Sequence, residues 1–216
     1  RDLVRSRGLG DVYKRQRLGD ALEAPVLLVK TAWGGKSLFK NFRPPSAGGE
    51  TGEFYTKMLA EVNEALDAVP EEFPQLAGRP LVVRGFVWFQ GWNDMYDEGA
   101  RAQYEDNLVH LIGDVRAEYS TPRLPVIIGE LGNGGPEASD KMLAIRAAQQ
   151  AAASRPELQG RIASGKLARC DVTYGTRLAS SMVTHSTWPL RLTPTMPPDA
   201  SCGAVTKMVS AEMRFM

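Results

Sequence analysis

Gly85-Phe86-Val87-Trp88-Phe89-Gln90-Gly91-Trp92-Asn93-Asp94 follows Leu81-Val82-Val83-Arg84, so a run of apolar and aromatic residues stops abruptly in polar ones. The run lies between Pro80 and Gly91 and is too short for a typical helix, which predicts a buried strand over residues 81–89. In an open α/β sheet, ligands bind outside the carboxyl ends of the strands. Gln90, Asn93 and Asp94 supply amides and a carboxylate at that end. The plain alternative is a core strand followed by an ordinary Gly-Asn-Asp turn. A second strand that ends in the same manner favours a site. Pro25-Val26-Leu27-Leu28-Val29-Lys30 runs into Thr31-Ala32-Trp33-Gly34-Gly35-Lys36-Ser37, and paired glycines let backbone approach a ligand closely.

These two blocks resemble the SGNH hydrolases. Ala-Trp-Gly-Gly after one strand and Trp-Phe-Gln-Gly-x-Asn-Asp after the next are most similar to the sialate O-acetylesterase-like branch of carbohydrate esterases. The resemblance covers about residues 18–160. It implies an α/β fold, a three-layer α/β/α domain with a parallel sheet of the SGNH/flavodoxin-like kind. It also implies a serine esterase that removes acetyl groups from sugars without metal or cofactor. Acyl transfer needs a nucleophile, a base, and donors for the oxyanion. The resemblance assigns the donors to a backbone N–H of the Gly34-Gly35 turn and to the Asn93 amide. Trp33, Gln90 and Trp92 fall beside the same turns as candidate substrate-binding residues. Trp33 and Trp92 are placed either to stack on a sugar ring or to serve as core and rim aromatics. The branch more often carries Gly-Glu-Ser than Gly-Trp-Asn at the second turn, which leaves the sugar and acyl preference open.

The nucleophile and base are not identifiable. The family's serine sits in a Gly-Asp-Ser or Gly-Gln-Ser-Asn motif after a strand that would precede Pro25, so the N-terminal strand block is expected to be missing. Residues 1–16 are basic, lack apolar periodicity, and end in Asp11-Val12-Tyr13-Lys14-Arg15-Gln16, which resembles translated adapter sequence at the ends of metagenomic reading frames. Ser6 has no suitable context, and Ser37 lies in the second block. The base would be a histidine in an Asp-x-x-His pattern. Neither histidine of the chain fits: His185 lacks the aspartate three residues earlier, and His110 lies about 200° round a helix from Leu108, on the solvent side.

The chain has 216 residues, 43% of them hydrophobic, and a net charge of +1, which allows a globular core and gives no nucleic-acid footprint. No apolar run approaches the roughly 20 residues of a membrane span. No Cys/His cluster has zinc spacing, and Cys170 and Cys202 suffice for one disulfide without showing that they meet. The expected partner is a small-molecule or oligosaccharide acetyl ester. Oligomeric state is not encoded legibly, and a secreted or periplasmic location is only what the resemblance implies.

Between the two blocks, residues 41–53 form a Pro- and Gly-rich loop, and residues 54–69 carry a helical stripe closed by Pro70 and Pro74. A second stripe covers residues 98–119. A third strand is expected over 124–130, ending in Gly129 and Glu130. A third helix follows Pro136, with Arg146 and Gln149 matching the family's Arg-x-x-Gln pattern. Seven of eleven threonines and five of eight methionines fall in residues 165–216, where apolar periodicity fades. The chain therefore divides into an arm (1–16), a partial esterase domain (17–164), and a divergent or out-of-frame tail (165–216), with residues 1–16 and roughly 175–216 expected to be mobile or poorly packed. Two other readings compete. One is a catalytically silent carbohydrate-binding relative of the same fold. The other is a phosphate-binding P-loop at Gly34-Gly35-Lys36-Ser37, which fails because the first glycine of that pattern falls on Lys30.

Overall fold

The structure is a computed structural model that describes residues 25–158, 162–165 and 208–215. In chain order the elements are β1 (Val26–Thr31), α1 (Glu53–Asp67), the short α2 (Val69–Glu72), β2 (Leu81–Phe89), α3 (Glu98–Glu118), β3 (Val126–Gly129), α4 (Asp140–Ala153), β4 (Ile162–Gly165) and β5 (Met208–Phe215). The strands form one sheet in the order β1-β5-β2-β3-β4. β2, β3 and β4 are parallel neighbours. β5 runs antiparallel to both β1 and β2, so β1 points the same way as β2 without bonding to it. This is an α/β fold, as expected, with one strand opposed to the rest.

Two of those details differ from the sequence reading. The end of the tail was expected to be mobile or poorly packed, yet Met208–Phe215 sits between β1 and β2. Its sequence alternates strictly, Val209, Ala211, Met213 and Phe215 against Ser210, Glu212 and Arg214. That is the period of a strand. The second detail concerns the layers. Among the described residues the three long helices all pack on one face of the sheet: Val62 of α1 meets Val29 and Val83, and α3 and α4 join Phe86, Trp88, Val126 and Ile128 in the main core. Leu28, Val87 and Ile127, on the opposite face, are only half-buried. No third layer is seen among the described residues, and the arm, Ser6, both cysteines and His185 lie outside them.

A register shift between Val83 and Gly85 keeps β2 in step with this one-sided core. The extra residue is Arg84, which is exposed. A bulge moves one residue out of the alternation. Val83 thereby shares the helix-covered face with Phe86 and Trp88. α1 stops at Asp67, and Pro70 then opens the short α2, at a helix start where its missing N–H costs nothing. α3 begins at Asp97, whose side chain accepts from the Ala100 N–H at 2.8 Å, and α4 begins at Ser139, whose hydroxyl accepts from Met142.

Candidate active site

One row of paired residues crosses the sheet: Thr31, Val209, Trp88, Ile128 and Ser164. The chains leaving β1, β2 and β3 just past this row are 32–37, 90–94 and 130–135. The two signature blocks therefore exit the same edge of the sheet, as strand-end sites require.

A buried polar network ties these exits together. Gln90 has no exposed surface. Its side-chain Nε2 donates to the Lys36 carbonyl at 2.9 Å and to Asp94 Oδ2 at 2.6 Å. Its backbone carbonyl accepts from Tyr104 Oη at 2.6 Å and from Gln149 Nε2 at 2.9 Å. Gln149 also donates to the Gly129 carbonyl at 3.3 Å, which brings in β3. Trp88 Nε1 donates to the oxygen of Tyr104, whose own proton is committed to Gln90. Burial, and then the Asp94 charge, push the Tyr104 phenol far above its usual range, so it remains a neutral donor. A buried network of this kind restrains its members to one arrangement, with Gln149 Oε1 left without a partner.

Asp94 is the residue whose importance the sequence did not announce. It is fully buried, and its two oxygens accept from the backbone N–H groups of Leu38 and Phe39, both at 3.0 Å. The carboxylate thus clamps the chain that follows the Gly34-Gly35 turn and fixes it against its own neighbour, Asn93. Replacing Asp94 with alanine orphans both N–H groups and one proton of the Gln90 amide. Each orphaned buried donor costs about 1–3 kcal/mol, and the losses overlap, so the expected destabilisation is about 3 kcal/mol. Asp94→Asn keeps one acceptor oxygen and should lose about 1–2 kcal/mol. Urea-unfolding midpoints check both values. Equal midpoints for Asp94→Ala and the parent would refute the clamp.

The two expected oxyanion donors come together. Gly35 has φ +71°, a left-handed conformation that suits glycine, and a Cβ built on it would lie 4.0 Å from Asn93 Nδ2. Gly34 and Gly35 are exposed and Asn93 is half-buried. Trp92 is 37% exposed and makes an edge-on ring contact with Tyr96, itself 61% exposed. Trp33 is half-buried, packed among Phe42 and Phe54 at the edge of the core. Gln90, a candidate for substrate contact, has its amide engaged inside the protein instead. Arg146, of the Arg-x-x-Gln pair, donates to the carbonyls of Leu131, Asn133 and Gly135 and so shapes the loop after β3. Gln150 donates to Glu130 at the end of that strand.

His110 departs from expectation. It is half-buried beneath the 41–53 loop, with Nδ1 2.9 Å from Ser46 Oγ. Asp114, one turn on, accepts from the Ser46 N–H at 3.1 Å rather than from the imidazole. The three residues latch the loop to α3. A base needs its ring oriented by a third group, and here the acid holds the serine's backbone. Ser37 is likewise engaged, its N–H and hydroxyl both directed to Asn41 Oδ1. Among the described residues no cluster of His, Cys, Asp or Glu could hold a metal, and no helix is long and apolar enough to cross a membrane.

The family model for carbohydrate esterases of the sialic acid-specific acetylesterase type matches residues 4–183. The chain belongs to this family. No curated protein and no solved structure matches it. Membership implies a carbohydrate or small-molecule ester as substrate.

Proposed function

We propose that the protein is a serine esterase that hydrolyses O-acetyl esters on sugars, with an N–H of the Gly34-Gly35 turn and Asn93 Nδ2 donating to the oxyanion. The observation that carries this reading is the approach of Asn93 Nδ2 to Gly35, 4.0 Å from where a side chain would begin. Neutral donors at strand ends, held by a rigid sheet, serve developing negative charge without reorganising during the reaction. Asp94 and Gln90 act as positioning residues that hold the two turns in register. Trp92 offers an exposed ring beside Asn93 for a sugar. No nucleophile or base is identified among the described residues, and the 216-residue chain by itself is expected to be inactive.

The test is hydrolysis of p-nitrophenyl acetate by the purified chain and by a longer form carrying a Gly-Asp-Ser block ahead of Pro25. The chain should give no turnover above buffer. The longer form should turn over and be silenced by a serine-directed phosphonate. Turnover by the chain alone that the phosphonate abolishes would show that it already holds its serine. A longer form that folds and stays inactive would remove the esterase reading.

A further inference from the structure

Among the described residues three large apolar side chains stay exposed, and two of them, Trp92 and Tyr96, touch each other. Their ring centres are 6.1 Å apart and their planes meet at 72°. Asp94 and Met95, between them in the chain, are both buried. The turn that carries the rings is held at several points. Asp94 accepts from the Leu38 and Phe39 N–H groups, and Arg101 Nη1 donates to the Met95 carbonyl at 2.6 Å. Just beyond, Asp97 caps α3. Exposure rises along this turn, from half-buried Asn93 to Trp92 at 37% and Tyr96 at 61%.

Rings left in water forfeit the gain of burying their apolar area. Adjoining apolar side chains kept exposed on firmly held backbone mark a surface that meets a ligand, and rings with a polar tip suit a ligand that is itself half apolar. A sugar is such a ligand, with C–H groups on its faces and hydroxyls at its rim. One sugar ring cannot lie flat on both side chains, because their planes are 72° apart. Two sugars joined by a glycosidic bond can, one on each. We propose that Tyr96 forms a second sugar subsite, next to the one that Trp92 offers, and that it reads the unit adjoining the acetylated sugar. The preferred substrate is then an acetylated oligosaccharide over the same acetylated monosaccharide. The inference rests on the esterase reading and extends it from the acetylated unit to its neighbour in the sugar chain.

The subsite is tested by binding, which needs neither nucleophile nor base. The 216-residue chain is titrated calorimetrically with two pairs of ligands. One pair is the methyl glycoside of O-acetylated N-acetylneuraminic acid and sialyllactose carrying the same acetyl group. The other is the methyl glycoside of O-acetylxylose and xylotriose acetylated on its end unit. Within each pair the charge is the same and only the length differs. In at least one pair the longer ligand should bind roughly tenfold tighter, the order expected when part of one aromatic face is covered. Added salt should leave that ratio unchanged, because stacking pairs no charges. Tyr96→Ala should bring the ratio close to one, and Tyr96→Phe should keep it, because the stack needs the ring and not the hydroxyl. Tyr96 is exposed, so both variants should fold, and circular dichroism checks that they do. Equal binding within both pairs overturns the subsite and leaves the carbohydrate esterase standing. A length preference that survives Tyr96→Ala, or that Tyr96→Phe abolishes, overturns it too. Failure of all four ligands to bind overturns the subsite and the sugar reading together.

Discussion

An active form of the esterase carrying Asn93→Ala should turn over its acetyl ester roughly 10²–10³ times more slowly, a loss of about 3–4 kcal/mol in the transition state. The geometry behind the expectation is the closeness of Nδ2 to Gly35. A donor in that position strengthens its bond as charge grows on the former carbonyl oxygen. The ground-state carbonyl needs it less, so KM should move little while kcat falls. A purely structural asparagine behaves differently. Asn93 precedes the short helical turn Asp94–Tyr96 and makes no capping bond with its side chain there. Loss of a structural contact would lower the melting temperature and leave turnover of the folded fraction nearly intact. Measuring kcat, KM and Tm on the same preparation separates the two. Turnover within about threefold of the parent, far short of the loss of a donor, would make Asn93 a turn residue.

Gly91→Ala should destabilise the fold by about 4 kcal/mol, the sum of two costs. Its φ of +145° is a conformation that residues with a side chain resist, at about 1–3 kcal/mol. A Cβ there would also meet Ile145 Cγ2 at 2.7 Å, Leu131 Cδ1 at 3.1 Å and Tyr104 Oη at 3.2 Å. Ile145 is fully buried on α4 and Tyr104 is pinned by its hydrogen bonds, so neither yields cheaply. Overpacking of this sort costs about 1–3 kcal/mol more. At roughly 2–4 °C per kcal/mol for a chain of this size, Tm should fall by about 8–16 °C. Gly34→Ala is the control. Nothing lies within 4 Å of its added Cβ, and its φ is not in the left-handed range. It should change stability by less than about 0.5 kcal/mol. Equal melting of the two variants would refute the packing argument.

The legible part of this fold was the part whose residues act locally. A mostly apolar run, broken only by Arg84 and Gly85 and closed by Pro80 and Gly91, reads as a strand, and β2 occupies residues 81–89 as expected. The stripe from Tyr104 to Val115 likewise became the buried face of α3. Long-range effects were not legible. Asp94 looks like any turn aspartate until the chain at Leu38 and Phe39 returns to it. Periodicity placed His110 off the core stripe but could not foresee that the 41–53 loop would fold over it and present Ser46. Gln90 stood at a strand end, where a substrate contact is plausible, and only its packed neighbours show its amide turned inward. The alternation of β5 was visible in principle. Pro189, Pro194, Pro197 and Pro198, just before it, interrupt any regular period and mask that signal.

The placement of β5 has a consequence for the order in which the molecule assembles. β2, α3, β3 and α4 are consecutive, and their mutual contacts close short loops, the kind that form early and fast. Among the described residues β1 has no such local partner in the sheet, because its bonded neighbour there is β5, which arrives some 180 residues later along the chain. During synthesis the Gly34-Gly35 turn therefore emerges well before the strand that anchors it. The Asp94 clamp can form once residues 81–94 have emerged, and it adds to the earlier contacts of Trp33 with Phe54 and of Ser37 with Asn41 that flank the turn. In a nascent chain the buried carboxylate would help hold the site edge together until β5 joins β1 to β2.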